Sequence, residues 1–235
     1  MKLCERKRLT EQAIRNHVME TSVLMRLSGH PNIVRLYEVI ETPTHVVLVM
    51  EFAARGDLLR YVRQRRKQVS EACAKDLSKQ LFDGIGHIHK MGMVHRDVKL
   101  ENLLLDAFGC LKIADFGVVA FVPGAGHKLH EQCGTASYIA PEILEGSGYD
   151  GPPVDVWSSG VVLYAILCGR LPFKGEKLED LKPTILRGRI HLPGHLSAGA
   201  VAAIRAVLVV EPRRRATVPQ VLALDWLKGI SNRAE

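Results

Sequence analysis

His95-Arg96-Asp97-Val98-Lys99-Leu100-Glu101-Asn102 is followed by Asp115-Phe116-Gly117 and then by Ala140-Pro141-Glu142. Three short signatures in this order are far harder to meet by chance than any one of them, so the residues are more than turn formers. Their chemistry is coherent as well. Asp97 is a carboxylate able to orient a hydroxyl or accept its proton, and Lys99, close behind it, is an ammonium able to stabilise an anionic group in motion. Asn102 brings a carbonyl oxygen and Asp115 a carboxylate, the hard oxygen donors that magnesium takes.

On the N-terminal side, Ile14, Val18, Val23, Leu24 and Leu27 roughly follow helical spacing, which predicts a helix from Thr10 to Leu27 stopped by Gly29-His30-Pro31. Two β-branched runs, Ile33 to Ile40 and His45 to Phe52, flank Glu41-Thr42-Pro43-Thr44 and predict a hairpin. After Ala53-Ala54-Arg55-Gly56 the pattern changes to amphipathic helices, expected over 57–66, 70–91, 154–167 and 198–209. The small residues at 53–56 suit a hinge between a small β-rich lobe and a larger helical one. No internal repeat or low-complexity tract interrupts the chain.

The 235 residues are 47% hydrophobic, enough to bury a substantial core. A net charge of +7 favours acidic partners, but 25 acidic residues lie among 32 Lys and Arg, so no nucleic-acid arm stands out. Arg63-Gln64-Arg65-Arg66-Lys67 reads as a patch for an acidic partner or as the solvated end of a helix. Five scattered cysteines without a C-x-x-C pair suit a reducing compartment, so a cytoplasmic location is expected, with the nucleus as alternative. The run Gly160–Gly169 is about half of a membrane span, and the first residues are charged, so no membrane association is expected. His127, His130 and Cys133 lie three apart, but a zinc site wants a fourth ligand and none is evident nearby.

Taken together, the chain resembles a serine/threonine protein kinase catalytic domain. The resemblance runs over nearly its whole length and is closest to the calcium/calmodulin-dependent and AMP-activated-kinase-like group. His30-Pro31-Asn32-Ile33-Val34-Arg35-Leu36, Asp155-Val156-Trp157-Ser158-Ser159-Gly160 and Gly169-Arg170-Leu171-Pro172-Phe173 carry that flavour. It implies an α+β, two-lobed protein-kinase-like fold with a truncated small β-rich lobe and a complete, mainly helical large lobe. The kinase domain would span 1–228, with a partial small lobe at 1–53, the large lobe at 54–228, and a tail at 229–235.

The implied activity is transfer of the γ-phosphate of ATP, with Mg2+, to Ser or Thr hydroxyls of protein substrates, a reaction that asks a protein mainly to position charge. By the same resemblance Asp97, Lys99, Asn102 and Asp115 are catalytic, with Asn102 and Asp115 on the metal. The ATP site would draw on Lys2, Glu20, Met50, Glu51, Ala53, Asp57, Glu101 and Leu104, with Lys2 paired to Glu20, Met50 as gatekeeper, backbone groups of Glu51 to Ala53 at the adenine, and Asp57 at the ribose. Lys2 has a second reading as an ordinary terminal lysine. Leu24, Leu36, His95 and Phe116 would stack on Asp155, and Glu142 would pair with Arg215. Lys99 and Thr135 match the serine/threonine pattern. Asp57 and Glu101 would border the substrate groove and favour Arg or Lys on the N-terminal side of the phosphoacceptor.

Two departures from the family pattern stand out. Met1-Lys2 falls where two strands and a glycine-rich loop should already have passed, which implies weak ATP binding, or alternatively a pseudokinase-like scaffold or a fragment of a longer active kinase. Between Asp115 and Cys133 there is no Ser, Thr or Tyr, and Glu131 stands where related enzymes carry a phosphorylatable Thr. Its fixed carboxylate either pairs with Arg96 as an imitation of a phosphate or is an exposed loop glutamate.

Overall fold

Strands β1 (Lys2–Glu5), β2 (Leu36–Glu41) and β3 (His45–Met50) form an antiparallel sheet in the order β1-β3-β2. This computed structural model describes residues 2–5, 11–65, 69–122, 124 and 126–228, with side chains from residue 18 onward. Lys2 is placed by its backbone, opposite Leu48. Its side chain, and with it the expected pairing to Glu20, lies outside the described residues, as does the 229–235 tail. Thr42 closes the β2–β3 turn, its amide donating to the His45 carbonyl and its hydroxyl accepting from the His45 amide, each at 2.8 Å.

Helix α1 (Glu11–Leu27) turns Glu20, Val23, Leu24 and Leu27 inward, the i, i+3, i+4, i+7 face of a helix. Val18, counted above among the apolar positions, is off that stripe and 66% exposed. Strand β2 begins three residues later than its sequence suggests, because Asn32 to Val34 pair elsewhere. The Val34 amide donates to the Ile113 carbonyl at 2.9 Å and the Ile113 amide to Asn32 at 2.8 Å. Those bonds tie the small lobe's connection to β7 (Leu111–Ile113), a strand of the second sheet.

That sheet has the order β4-β6-β7, with β4 (Gly56–Asp57) and β6 (Leu103–Leu105). A third, two-stranded pairing joins β5 (Met93–Val94) to β8 (Ala120–Phe121). Around these short ladders lie the helices: α2 (Leu58–Gln64), α3 (Glu71–Lys90), α4 (Pro141–Glu145), α5 (Gly151–Cys168), α6 (Leu178–Arg187), α7 (Ala198–Val207) and α8 (Val218–Leu222). Ser70 caps α3 by accepting the Cys73 amide at 3.2 Å, and Ala74, Leu77, Leu81, Ile85 and Ile88 form its buried stripe. Gly84 on α3 sits so near β7 that a Cβ would meet the Ile113 side chain at 2.7 Å.

Helix α5 is the central pillar. It starts with Pro152-Pro153 in its first turn, ends on Gly169 in the left-handed conformation, and is buried on all faces. By length and composition it is the one helix among the described residues apolar enough to cross a bilayer, yet 89% of it is buried inside this fold. Gly160 lets it touch Val207 and Leu208, where a Cβ would come within 2.6 Å. The cysteines at 73, 133 and 168 are free thiols.

Candidate active site

The loop between β5 and β6 is fixed from behind by Asp155, a fully buried carboxylate projecting from α5. Its oxygens accept the His95 amide at 2.9 Å and the Arg96 amide at 2.8 Å, and the His89 ring lies at 2.9 Å. Burial pushes the Asp155 carboxyl up, but these partners outweigh it and hold the group below its ordinary value. Arg96 sits at φ 66, a strained conformation for a side-chain-bearing residue, and the two amide bonds to Asp155 hold it there.

Asp97 then projects forward, half-buried. Lys99 Nζ donates to its Oδ2 at 2.6 Å and Thr135 Oγ1 to its Oδ1 at 2.8 Å, while Lys99 also reaches Thr135 at 2.8 Å. Asn102 Nδ2 adds bonds to the Asp97 carbonyl at 2.9 Å and to Oδ2 at 3.1 Å. Burial raises the Asp97 carboxyl, yet the bonds from Lys99 and Thr135 win and keep it below the usual carboxylate value. The loop therefore presents an ionised, oriented carboxylate with an ammonium at its side.

With the Asn102 amide nitrogen turned to Asp97, its carbonyl oxygen is left to other donors or ions. Asp115 follows from the next strand at φ 62, with its side chain exposed. The Ala114 amide binds the Asn102 backbone carbonyl at 2.9 Å, and the His95 ring lies 3.1 Å from the Ala114 carbonyl. So the Asp115 strand end is sewn to the Asp97 loop. One amide oxygen and one carboxylate form a hard-oxygen donor pair, the kind of partial set that magnesium completes with water and phosphate. No cluster of three or more His, Cys, Asp and Glu that could hold a metal occurs among the described residues.

Behind the site, Phe116 is fully buried with its ring centroid 5.0 Å from that of His95, and Leu24 and Leu36 belong to the same core cluster. Glu20 is 3% exposed on α1. Met50, Ala53 and Leu104 are partly exposed around the interlobe crossing. The Glu51 carboxylate is bound to Lys112 at 2.7 Å, and its amide donates to the Arg35 carbonyl at 2.8 Å. Asp57 uses Oδ1 to cap α2, accepting the Arg60 amide at 2.7 Å. Glu101 is exposed beside Asn102.

The segment after Asp115 returns to this loop through Arg96. Its Nη2 donates to Glu131 Oε2 at 2.9 Å and its Nε to the Val118 carbonyl at 2.6 Å. Deeper in the large lobe, Arg215 meets Glu142 through two parallel bonds of 2.6 and 2.9 Å.

Sequence reasoning gave no role to Tyr138 and Tyr149. Tyr149 donates to the Glu131 carbonyl at 2.8 Å. The buried Tyr138 hydroxyl lies at the Leu100 backbone within electrostatic reach of Glu101, Arg63 and Asp97. A single tyrosine in a loop carries no spacing signal, so only the folded chain reveals these neighbours.

A fastened loop bearing a carboxylate and an ammonium, beside a second carboxylate just past β7 and together with a small sheet, defines the two-lobed kinase class of fold. The family model described as protein kinase domain matches residues 1–227, and the chain belongs to that family. It is 42% identical over 227 residues to the rice serine/threonine protein kinase OSK3 of Oryza sativa subsp. indica, covering 94% of this chain and 44% of that protein. From Arabidopsis thaliana, CBL-interacting serine/threonine-protein kinase 26 is 40% identical over 97% of this chain and 52% of its own length. The SNF1-related protein kinase catalytic subunit alpha KIN12 of the same plant is 39% identical over 97% and 46%. The chain spans about half the length of the curated relatives it matches.

Proposed function

We propose that this chain is an ATP- and magnesium-dependent protein kinase that phosphorylates Ser and Thr hydroxyls of protein substrates. The observation that carries the reading is the Asp97–Lys99–Thr135 triangle, in which a depressed, ionised carboxylate is aimed by two donors. Asp97 accepts a hydrogen bond from the substrate hydroxyl and takes its proton as transfer proceeds. Lys99 balances negative charge gathering at the transferred group, and Thr135 keeps both in register. Asn102 and Asp115 would hold magnesium, which when bound neutralises phosphate charge. Backbone groups of Glu51 to Ala53 would receive the adenine. Of the two acids expected to favour basic substrates, Asp57 has one oxygen engaged by its helix cap, which leaves Glu101 the freer of the pair.

The test is transfer of labelled phosphate from Mg-ATP to peptides differing only in a central Ser, Thr or Tyr. Incorporation into Ser and Thr but not Tyr, lost in Asp97→Asn, is the expected result. Incorporation that survives Asp97→Asn removes Asp97 from the chemistry.

A further inference from the structure

Helix α2 carries arginines that the transfer chemistry leaves unused. Arg55 stands on the turn before it, Arg60 and Arg63 lie along it, Arg65 caps its end, and all four are exposed. Leu58 and Val62 turn into the core, so Arg60 and Arg63, three apart, share the outer face. Arg65 is held differently, with its guanidinium 4.4 Å over the Tyr61 ring. Neither Arg60 nor Arg63 forms an ion pair among the described residues.

The helix is anchored next to the acceptor site. Its leading residues Gly56 and Asp57 pair with Leu105 and Leu104, and its body packs on the Leu100–Asn102 turn that ends the Asp97 loop. Tyr138 is the meeting point, with Arg63, Glu101 and Asp97 all acting on its hydroxyl. Among the described residues, none of the nearby acids forms an ion pair with Arg60 or Arg63. Asp57 binds the Arg60 amide rather than a guanidinium, and Glu51 is paired with Lys112. Glu101 and Arg63 both act on the Tyr138 hydroxyl, yet no ion pair joins them among the described residues.

Resting on the kinase reading above, we propose that Arg60 and Arg63 select protein substrates with Asp or Glu side chains flanking the phosphoacceptor, on the side that runs toward α2. This reverses the basic preference expected from Asp57 and Glu101. Exposed guanidinium–carboxylate pairs act mainly on encounter and KM, and they weaken with salt.

The test uses the full chain and three peptides identical except for Asp, Ala or Arg flanking one Ser. Phosphate transfer gives kcat and KM, and fluorescence anisotropy of labelled peptide gives binding without turnover. The expected order is Asp, then Ala, then Arg, with KM separated by about five- to tenfold overall, the scale of one or two exposed charge pairs, and with kcat unchanged. Arg60→Glu/Arg63→Glu inverts the order, whereas Arg60→Lys/Arg63→Lys keeps it. Equal KM for the three peptides, or an order that the double Glu variant leaves unmoved, overturns the proposal while the kinase reading stands. No transfer to any peptide with acidic-first binding retained overturns the kinase reading and keeps the basic docking face. Loss of both overturns both.

Discussion

Arg96 and Glu131 meet at 2.9 Å although one is buried and the other is 71% exposed. The contact joins the loop carrying Asp97 to the segment that follows Asp115, with no phosphorylated residue between them. Arg96 has further partners in the Val118 carbonyl and Tyr149, so the glutamate completes a site that is already mostly assembled.

Glu131→Ala is accordingly expected to lower kcat/KM by about fivefold, since a half-exposed pair is commonly worth no more than ~1 kcal/mol. Wild-type protein made in bacteria should be insensitive to phosphatase. Glu131→Thr should match the Ala variant until an activating kinase phosphorylates it, and then exceed wild type, because phosphate brings more charge and more acceptor oxygens. Unchanged rates in Glu131→Ala would take the glutamate out of the mechanism.

Asp97→Ala should cost several orders of magnitude in kcat with the thermal midpoint nearly unmoved, and Asp115→Ala should abolish magnesium-dependent nucleotide binding measured by calorimetry. Because the Asp97 carboxyl is depressed below 3.8, its proton returns only below that value. The acid limb of a kcat profile between pH 5 and 7 therefore belongs to another group. A limb in that range that disappears in Asp97→Asn would contradict this.

Arg215 uses its whole guanidinium: two bonds to Glu142, and others to the carbonyls of Pro153, Val209 and Val210, with the Trp157 ring 5.0 Å away. Removing one member of such a buried pair strands the other. Glu142→Ala should cost about 3–5 kcal/mol in urea unfolding, and Arg215→Lys should be nearly as harmful, since an ammonium cannot span the same acceptors. A loss under ~1 kcal/mol would show the pair to be replaceable by water.

His30 and His87 stack with ring centroids 4.6 Å apart, with Asp83 and Lys90 as charged neighbours. Burial lowers both imidazoles below 6.5, and Lys90 adds to the effect at each. The unfolded chain then binds more protons in the window beneath 6.5, so stability is full above it and falls as the pH drops toward the folded values. His87 Nε2 is also buried without a hydrogen-bond partner. His87→Phe should keep the stack and raise the thermal midpoint more at pH 5.5 than at pH 7.5. Equal gains at the two pH values would remove the histidine pair from the acid sensitivity.

Much of this architecture is legible before folding. The order of the Asp97, Asp115 and Glu142 signatures announces the family, and period-3.6 patterns mark α1, α3 and α7. What escaped is structure made by distant partners. Helix α6 carries a stripe of Leu178, Leu181 and Ile185, but Pro183 inside its ten residues reads as a helix breaker and masks it. The Glu71 carboxylate gathers the Ser197 hydroxyl and the Trp226 ring nitrogen, and the sequence separations of 126 and 155 residues hide such a knot from any local pattern. Asp57 illustrates the other limit. Its place before α2 is readable, but whether its oxygens face a ligand or cap the helix depends on the turn that forms.

The full burial of α5 has a consequence during synthesis. Ribosomes release a chain in order, and α5 is complete before α6, α7 and α8, which help to enclose it, exist. For that interval an eighteen-residue segment with the composition of a bilayer span has α3 against it but lacks the rest of its wrapping. It is the part of the nascent polypeptide with the strongest pull toward chaperones, lipid or another copy of itself. Slow translation across 169–207 would lengthen that exposure, and a variant that weakens α7 against Gly160 would reach the cell as a problem of yield before it registered as one of catalysis.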